Sequence, residues 1–286
     1  MASQRDIRRR ISAVKNIKQI TRAMQFVAAS KLKRAQDATL SARPYSEKID
    51  EVIADLATVL SGDDHPLFAQ RDGGKRLIVF ITTDRGLAGP LNTNAIRFVL
   101  HEIAEHSEGG GDLTLVTVGR KGRDAMRRAH VPVEAHFSGF GDRPTFGDVT
   151  ALARLVTDDF LAGTYSRVDL VYTRFVSTLT QRPTLDRLLP MEPREDTEGV
   201  PGNQFLFEPD PATVLRQLLP RYVATRIYQA VLENTASEWS SKMVAMKNAT
   251  ENAEELIEDL TLSYNKVRQA NITREMTEIA SGANAR

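Results

Sequence analysis

Near the end of the chain, mostly apolar residues recur in alternating steps of four and three: Trp239, Met243, Met246, Thr250, Ala253, Ile257, Leu260, Tyr264 and Val267. Such alternation is the seam of a left-handed coiled coil. The apolar stripe breaks where Asn271 and Arg274 take the next two positions. The start of the chain carries a matching face, Ile7, Ile11, Val14, Ile17, Thr21, Met24, Ala28, Leu32 and Ala35, with a drift near Ile17. If both helices leave a middle domain together, they run antiparallel with partner numbers totalling about 272, which places Met24 near Asn248. About the last 15 residues would then form a single helix without a partner.

Between these ends the pattern changes to short apolar runs separated by helical stretches. Strands are expected at 76–82, 113–119, within VPVEAHF, and at 168–176, with helices from Thr93 to His106, over GRDAMRRA, and from Phe146 to Leu161. Alternating strands and helices predict a three-layer α/β unit with a mainly parallel sheet. The expected fold is therefore α/β: a long antiparallel coiled coil of the N- and C-terminal helices plus that α/β domain. Boundaries are expected at 1–60, 61–208 and 209–286, and residues 192–211 read as an irregular loop.

Glycine and proline sharpen this division. Of 17 glycines, 16 lie between Gly62 and Gly202, and residues 1–43 and 221–281 contain neither glycine nor proline. Both residues oppose helix interiors. Residues 221–281 as one helix would span about 90 Å, too long to fold into a small core alone. Pro44 is expected to kink or divide the first helix.

Total charge is nearly balanced, 38 basic against 37 acidic side chains, and does not mark a nucleic-acid binder. Its distribution is uneven: residues 1–60 carry 12 basic and 6 acidic groups, and Asp6 is the only acid among the first 34 residues. A cationic helix of this kind calls for a negatively charged partner, although a solvated face is the common fate of a charge run. No apolar run is long enough to span a membrane. The segment MASQRDIRRRISAVK lacks a long apolar core and a small-residue cleavage site, so no secretory signal is expected.

Visible chemistry is sparse. The absence of cysteine removes thiol nucleophiles, zinc-thiolate sites and iron–sulfur clusters. There is no G-x-x-x-x-G-K-[ST] loop and no G-x-S-x-G elbow, and GLAG (86–89) and GRKG (119–122) lack dinucleotide-binding spacing. His101 and His106 stand five apart, not the four a helical zinc pair needs, and Asp158 and Asp159 diverge as neighbours on a helix. Neither a cofactor nor a metal is expected. TTDRGLAGP (82–90) follows the first strand at the sheet edge where ligands of such folds bind, yet Asp84 there also suits a simple capped turn.

Three segments carry a resemblance: RDIRRRISAVKNIKQITRAMQFVAASKLKRAQ, TTDRGLAG, and MVAMKNATENAEELIEDLTLSYNKVRQANITREMTEIASGANA, with FGD and FEPDP between the last two. Together they closely resemble the gamma-subunit family of F-type (rotary) ATP synthases over essentially the whole chain. Many members have Gly-Leu-Cys-Gly-Gly where this chain has Gly86, Leu87, Ala88, Gly89 and Pro90, and the cysteine switch of the chloroplast type is excluded here.

The resemblance implies a non-catalytic central rotor stalk that couples proton flow and c-ring rotation to ATP synthesis or hydrolysis on beta subunits. It implies as partners the alpha and beta subunits, the epsilon subunit and the c-subunit ring, with no nucleic acid and no direct membrane span. The expected location is the cytoplasmic face of the bacterial plasma membrane. By position it implies beta contacts at Arg8, Arg9, Met24, Arg85, Arg268 and Gln269. Ile272, Met276 and Ile279 would turn in an apolar sleeve, and Phe205, Leu206, Phe207 and Glu208 would form the foot near epsilon and the ring. The alternative reading is a coiled-coil scaffold or adaptor with an α/β head.

Overall fold

The structure, a computed structural model of the chain, describes residues 3–59, 67, 71, 74–108, 111–191, 208 and 210–284. It divides into two compact units, Met1–Ala29 with Lys242–Arg286, and Ser30–Ser241. Two helices, α1 (Gln4–Val59) and α5 (Pro211–Asn284), contribute residues to both.

In the first unit the helices pair antiparallel. The hydroxyls of Thr21 and Thr250 meet at 2.8 Å, Lys18 pairs with Glu254 at 2.6 Å, and Gln4 donates to the Tyr264 hydroxyl at 3.0 Å. The first two pairs lie on the register in which partner numbers total about 272. The expected C-terminal seam is realised here: Met246, Thr250 and Ala253 are buried, and Met243, Ile257, Leu260, Tyr264 and Val267 half-buried. The N-terminal face holds at Ile7, Thr21 and Ala28 but not at Ile17, which is 52% exposed. At the drift Lys18 takes the flank of the seam instead, and its ammonium holds the Glu254 carboxyl below its ordinary range.

The second unit holds a five-stranded sheet ordered β3-β2-β1-β4-β5. Its strands are β1 (Lys75–Ile81), β2 (Leu113–Val118), β3 (Val133–Phe137), β4 (Tyr165–Phe175) and β5 (Gln181–Leu189). β1 to β4 are parallel, and β5 lies antiparallel to β4. The connecting helices are α2 (Leu91–Glu108), α3 (Arg120–Arg128) and α4 (Phe146–Leu161). Six consecutive residues of β1 are buried because helices cover both faces. Leu77, Val79 and Ile81 pack in a core with α4, with Ile49 and Ile53 of α1 and with Leu219 to Val231 of α5. Ile78 and Phe80 face a second core with α2 and α3. These are the three expected layers.

Two expectations at element ends needed revision. Sequence pattern missed β5, whose QRPTLDRLL carries Pro183 and three charges; the strand survives because it lies at the sheet edge, where proline is tolerated. Pro44 does not divide α1. The Ser46 hydroxyl just beyond it donates to Gln229 at 2.8 Å, and Ile49 and Ile53 anchor the next turn in the core. Tertiary packing thus offsets one missing helical donor.

Three serines set the approach of α5 to the sheet end. Ser237 donates to Thr173 O at 3.0 Å, Ser240 to Thr178 O at 2.7 Å and Ser241 to Ala88 O at 2.7 Å. Elsewhere on β4, fully buried Asp169 accepts from Arg76 at 2.6 Å and from Arg167 at 2.8 Å. A charge this deep persists only when paired.

Candidate functional site: a coiled-coil surface and a braced sheet edge

The parallel strands end at one edge, and the loop after β1 places Thr82 to Arg85 there. Asp84 is not free for a ligand. One carboxylate oxygen accepts from the Arg120 amide at 3.0 Å, and the other from the Gly139 amide at 2.9 Å. It therefore ties together the turns that follow β1, β2 and β3; its role is structural, but through long-range bonds rather than the local turn cap expected from the motif.

The same edge accounts for the glycines of GRKG. Gly119 has φ +90°, and a Cβ there would stand 2.3 Å from Thr82 O; one on Gly122 would meet Thr82 Oγ1 at 2.8 Å. Both glycines are demanded by close packing against the end of β1. The first amides of α3 are already used, Lys121 N by Thr83 O at 3.0 Å and Gly122 N by Thr82 Oγ1 at 2.8 Å. A helix start whose donors are satisfied by its own chain has none left for phosphate. A cavity of about 250 Å³ remains at this edge, lined by Arg85, Arg120, Asp142 and Glu238 among others.

Among the described residues no group of three or more His, Asp or Glu side chains is placed to hold a metal ion. His136 is bonded through Nδ1 to Thr117 Oγ1, and burial pushes its pKa below the ordinary imidazole value. Its contact is therefore with a strand hydroxyl on β2, and among the described residues its Nε2 has no partner.

The coiled-coil surface is more distinctive. Arg8 and Arg9 are exposed, and neither forms an ion pair among the described residues. Met24 is half-buried at the seam, while Arg268 and Gln269 are exposed on α5. Arg85 is exposed but belongs to the other unit. From Ile272 through Ala280 every residue of α5 is exposed, including Ile272, Met276 at 67% and Ile279 at 73%. Their spacing of four and three puts them on one helical face. Glu208 is exposed, whereas Phe205, Leu206 and Phe207 lie outside the described residues.

Sequence reasoning missed a second set. Ile20, Phe26 and Val27 of α1, together with the displaced Ile17, are each more than half exposed. The signal was available for Ile20, Phe26 and Val27, which are left over once the seam positions are assigned. Several large apolar side chains left exposed along a charged helix suit a surface that meets other proteins. The N-terminal helix is also less uniformly cationic than its composition suggests, because Lys18, Lys31 and Lys33 are paired with Glu254, Asp142 and Asp37.

A two-helix coiled coil with large apolar side chains exposed outside its seam, joined in sequence to an α/β unit, has the surface expected of a subunit that docks against other chains. Known proteins agree. A family model described as ATP synthase matches residues 3–285. The "ATP synthase gamma chain" of Pelotomaculum thermopropionicum is 45% identical over 285 residues, covering 100% of this chain and 99% of its own. That of Desulfitobacterium hafniense is 46% identical with the same coverage. A chain of the Euglena gracilis mitochondrial ATP synthase, from an OSCP/F1/c-ring structure, superposes with a TM-score of 0.70 at 21% identity, covering 99% of this chain and 94% of its own. The chain belongs to the gamma-chain family of ATP synthases. As a member it is a central-stalk subunit, not the catalytic chain of the complex.

Proposed function

We propose that this chain couples rotation of a c-subunit ring to ATP synthesis or hydrolysis on beta subunits by presenting an uneven surface to each of them in turn. One observation carries the mechanism: the coiled-coil helices expose free cations and large apolar side chains beside stretches of small residues. A body without catalytic groups can drive chemistry elsewhere if it binds different conformations of its neighbours unequally. Moving a two-state population from 1:99 to 99:1 requires about 5.5 kcal/mol of differential binding. Several weak contacts meet that requirement better than one strong contact, which would trap a single rotary angle.

In this reading the alpha and beta subunits surround the coiled coil, and the epsilon subunit and c-ring meet the rest of the chain. Arg8, Arg9, Met24, Arg85, Arg268 and Gln269 are assigned to beta, and Ile272, Met276 and Ile279 to an apolar sleeve. The foot comprises Phe205 to Glu208. The functional parts are 1–60, 61–208 and 209–286. No helix of the described residues is long and apolar enough to cross a membrane, and the reading places the protein peripherally, on the cytoplasmic face of the bacterial membrane. Affinity purification of the tagged chain from a detergent extract tests it. Co-elution of alpha, beta, epsilon and c subunits is expected, with no ATPase activity from the chain alone. Purification without them, or turnover by the isolated chain, would defeat it.

A further inference from the structure

The two edges of the sheet are treated differently. β5 is guarded by Arg182, Pro183 and Arg187, the kind of residues that discourage a further strand. β3 pairs only with β2, and its outer edge carries no hydrogen bond among the described residues. Within Val133–Phe137 the sole charged residue is Glu134, and its carboxylate is already engaged by the hydroxyl of buried Tyr165. Nothing on β3 itself therefore opposes pairing.

Beside this edge runs an open groove of about 520 Å³ lined by Arg123, Arg127, His130 and the residues of β3. α3 carries five cations, Arg120, Lys121, Arg123, Arg127 and Arg128, against Asp124 alone. Arg123 is bonded to Asp124 at 2.8 Å, but Arg127 and His130 are exposed and without a side-chain partner among the described residues. His136, also on the groove wall, keeps a buried Nε2 with no hydrogen-bond partner. Such an orphan group costs free energy unless something satisfies it. The groove lining contains no Phe, Tyr or Trp, the usual stacking platforms for single-stranded bases, which disfavours a nucleic acid.

We propose that the open edge of β3 and the basic face of α3 beside it form a docking site for an extended acidic polypeptide segment, which adds as a sixth strand. Main-chain bonds to β3 would supply affinity, and alternate carboxylates of the segment would reach Arg123, Arg127 and His130. The proposal is independent of the rotor assignment.

The test titrates the full-length chain with a fluorescein-labelled peptide of alternating glutamate and valine, with the lysine–valine counterpart and an oligothymidylate as controls. Saturable binding of the acidic peptide is expected, with slowed hydrogen exchange at the amides of Val133–Phe137. Arg123→Glu with Arg127→Glu should weaken it by roughly tenfold or more. Since Arg127 is exposed, Arg127→Glu alone serves if the double variant fails to fold. The proposal is overturned by absence of binding, by equal binding of either control, by affinity insensitive to charge reversal, or by binding that leaves the β3 amides unprotected.

Discussion

Replacing Asp84 with alanine separates a structural brace from Arg85, the neighbouring residue proposed to meet beta. The carboxylate makes two charge-assisted bonds to backbone amides, at 3.0 and 2.9 Å, and lies 3.7 Å from the Arg120 guanidinium. Its side chain is 23% exposed, so the surface ion pair adds little. Each hydrogen bond to a charged group contributes about 1.5–3 kcal/mol. Partial water access argues for the lower end, or about 3 kcal/mol for the two. For a unit of this size each kcal/mol shifts Tm by about 2–4 °C, so Asp84→Ala should lower it by about 6–12 °C. Asp84→Asn, which keeps one acceptor oxygen, should lose about half as much. Arg85→Ala, which removes only an exposed side chain, should stay within about 0.5 kcal/mol of the parent. Thermal unfolding of the purified chain by circular dichroism measures all three. An Asp84→Ala shift below about 2 °C, or one no larger than that of Arg85→Ala, would refute the brace.

Other consequences concern buried polar groups. Thr21→Val alone should cost about 1 kcal/mol by breaking the hydroxyl pair with Thr250, whereas Thr21→Val with Thr250→Val should be nearly neutral; additive losses in urea titrations would contradict the pairing. Asp169→Leu should destabilise the α/β unit by about 3 kcal/mol because buried Arg76 then keeps only Glu102 at 3.7 Å, and Arg76→Met in the same chain should recover most of the loss; equal stability of the single variant and the parent would argue against this pair. Burial raises the pKa of Glu233 above the ordinary carboxylate range, despite Arg174 at 3.9 Å. The folded chain therefore holds this proton more tightly than the unfolded chain, and ionised Glu233 reduces stability above its folded pKa. Glu233→Gln should stabilise the protein at neutral pH, with the gain fading as pH falls towards the unfolded carboxylate value; a gain that grows on acidification would reverse the sign.

The long-period features were legible because they follow from side-chain periodicity alone. The four-and-three alternation gave the C-terminal seam as far as Val267, and the apolar runs gave four strands of the sheet. Ile17 was misplaced because an ideal helix drifts relative to a seven-residue repeat, and sequence does not say where the drift is absorbed. β5 was missed because an edge strand tolerates the proline and charges that argue against a strand elsewhere. Asp84 was placed at the correct edge, but its two amide partners lie 36 and 55 residues away and only the fold joins them. Ile20, Phe26 and Val27 on α1 could be read by elimination; the exposure of Ile17 followed only once Lys18 was found on the seam flank.

The claim that unequal contacts of this surface drive its neighbours is tested most directly in the assembled, membrane-reconstituted complex carrying Arg8→Glu with Arg9→Glu. Both positions are exposed, so folding and assembly should survive. ATP-driven proton pumping, measured beside ATP hydrolysis in the same vesicles, should fall well below that of the parent complex. Pumping and hydrolysis in the parental ratio and at the parental rate would contradict the account.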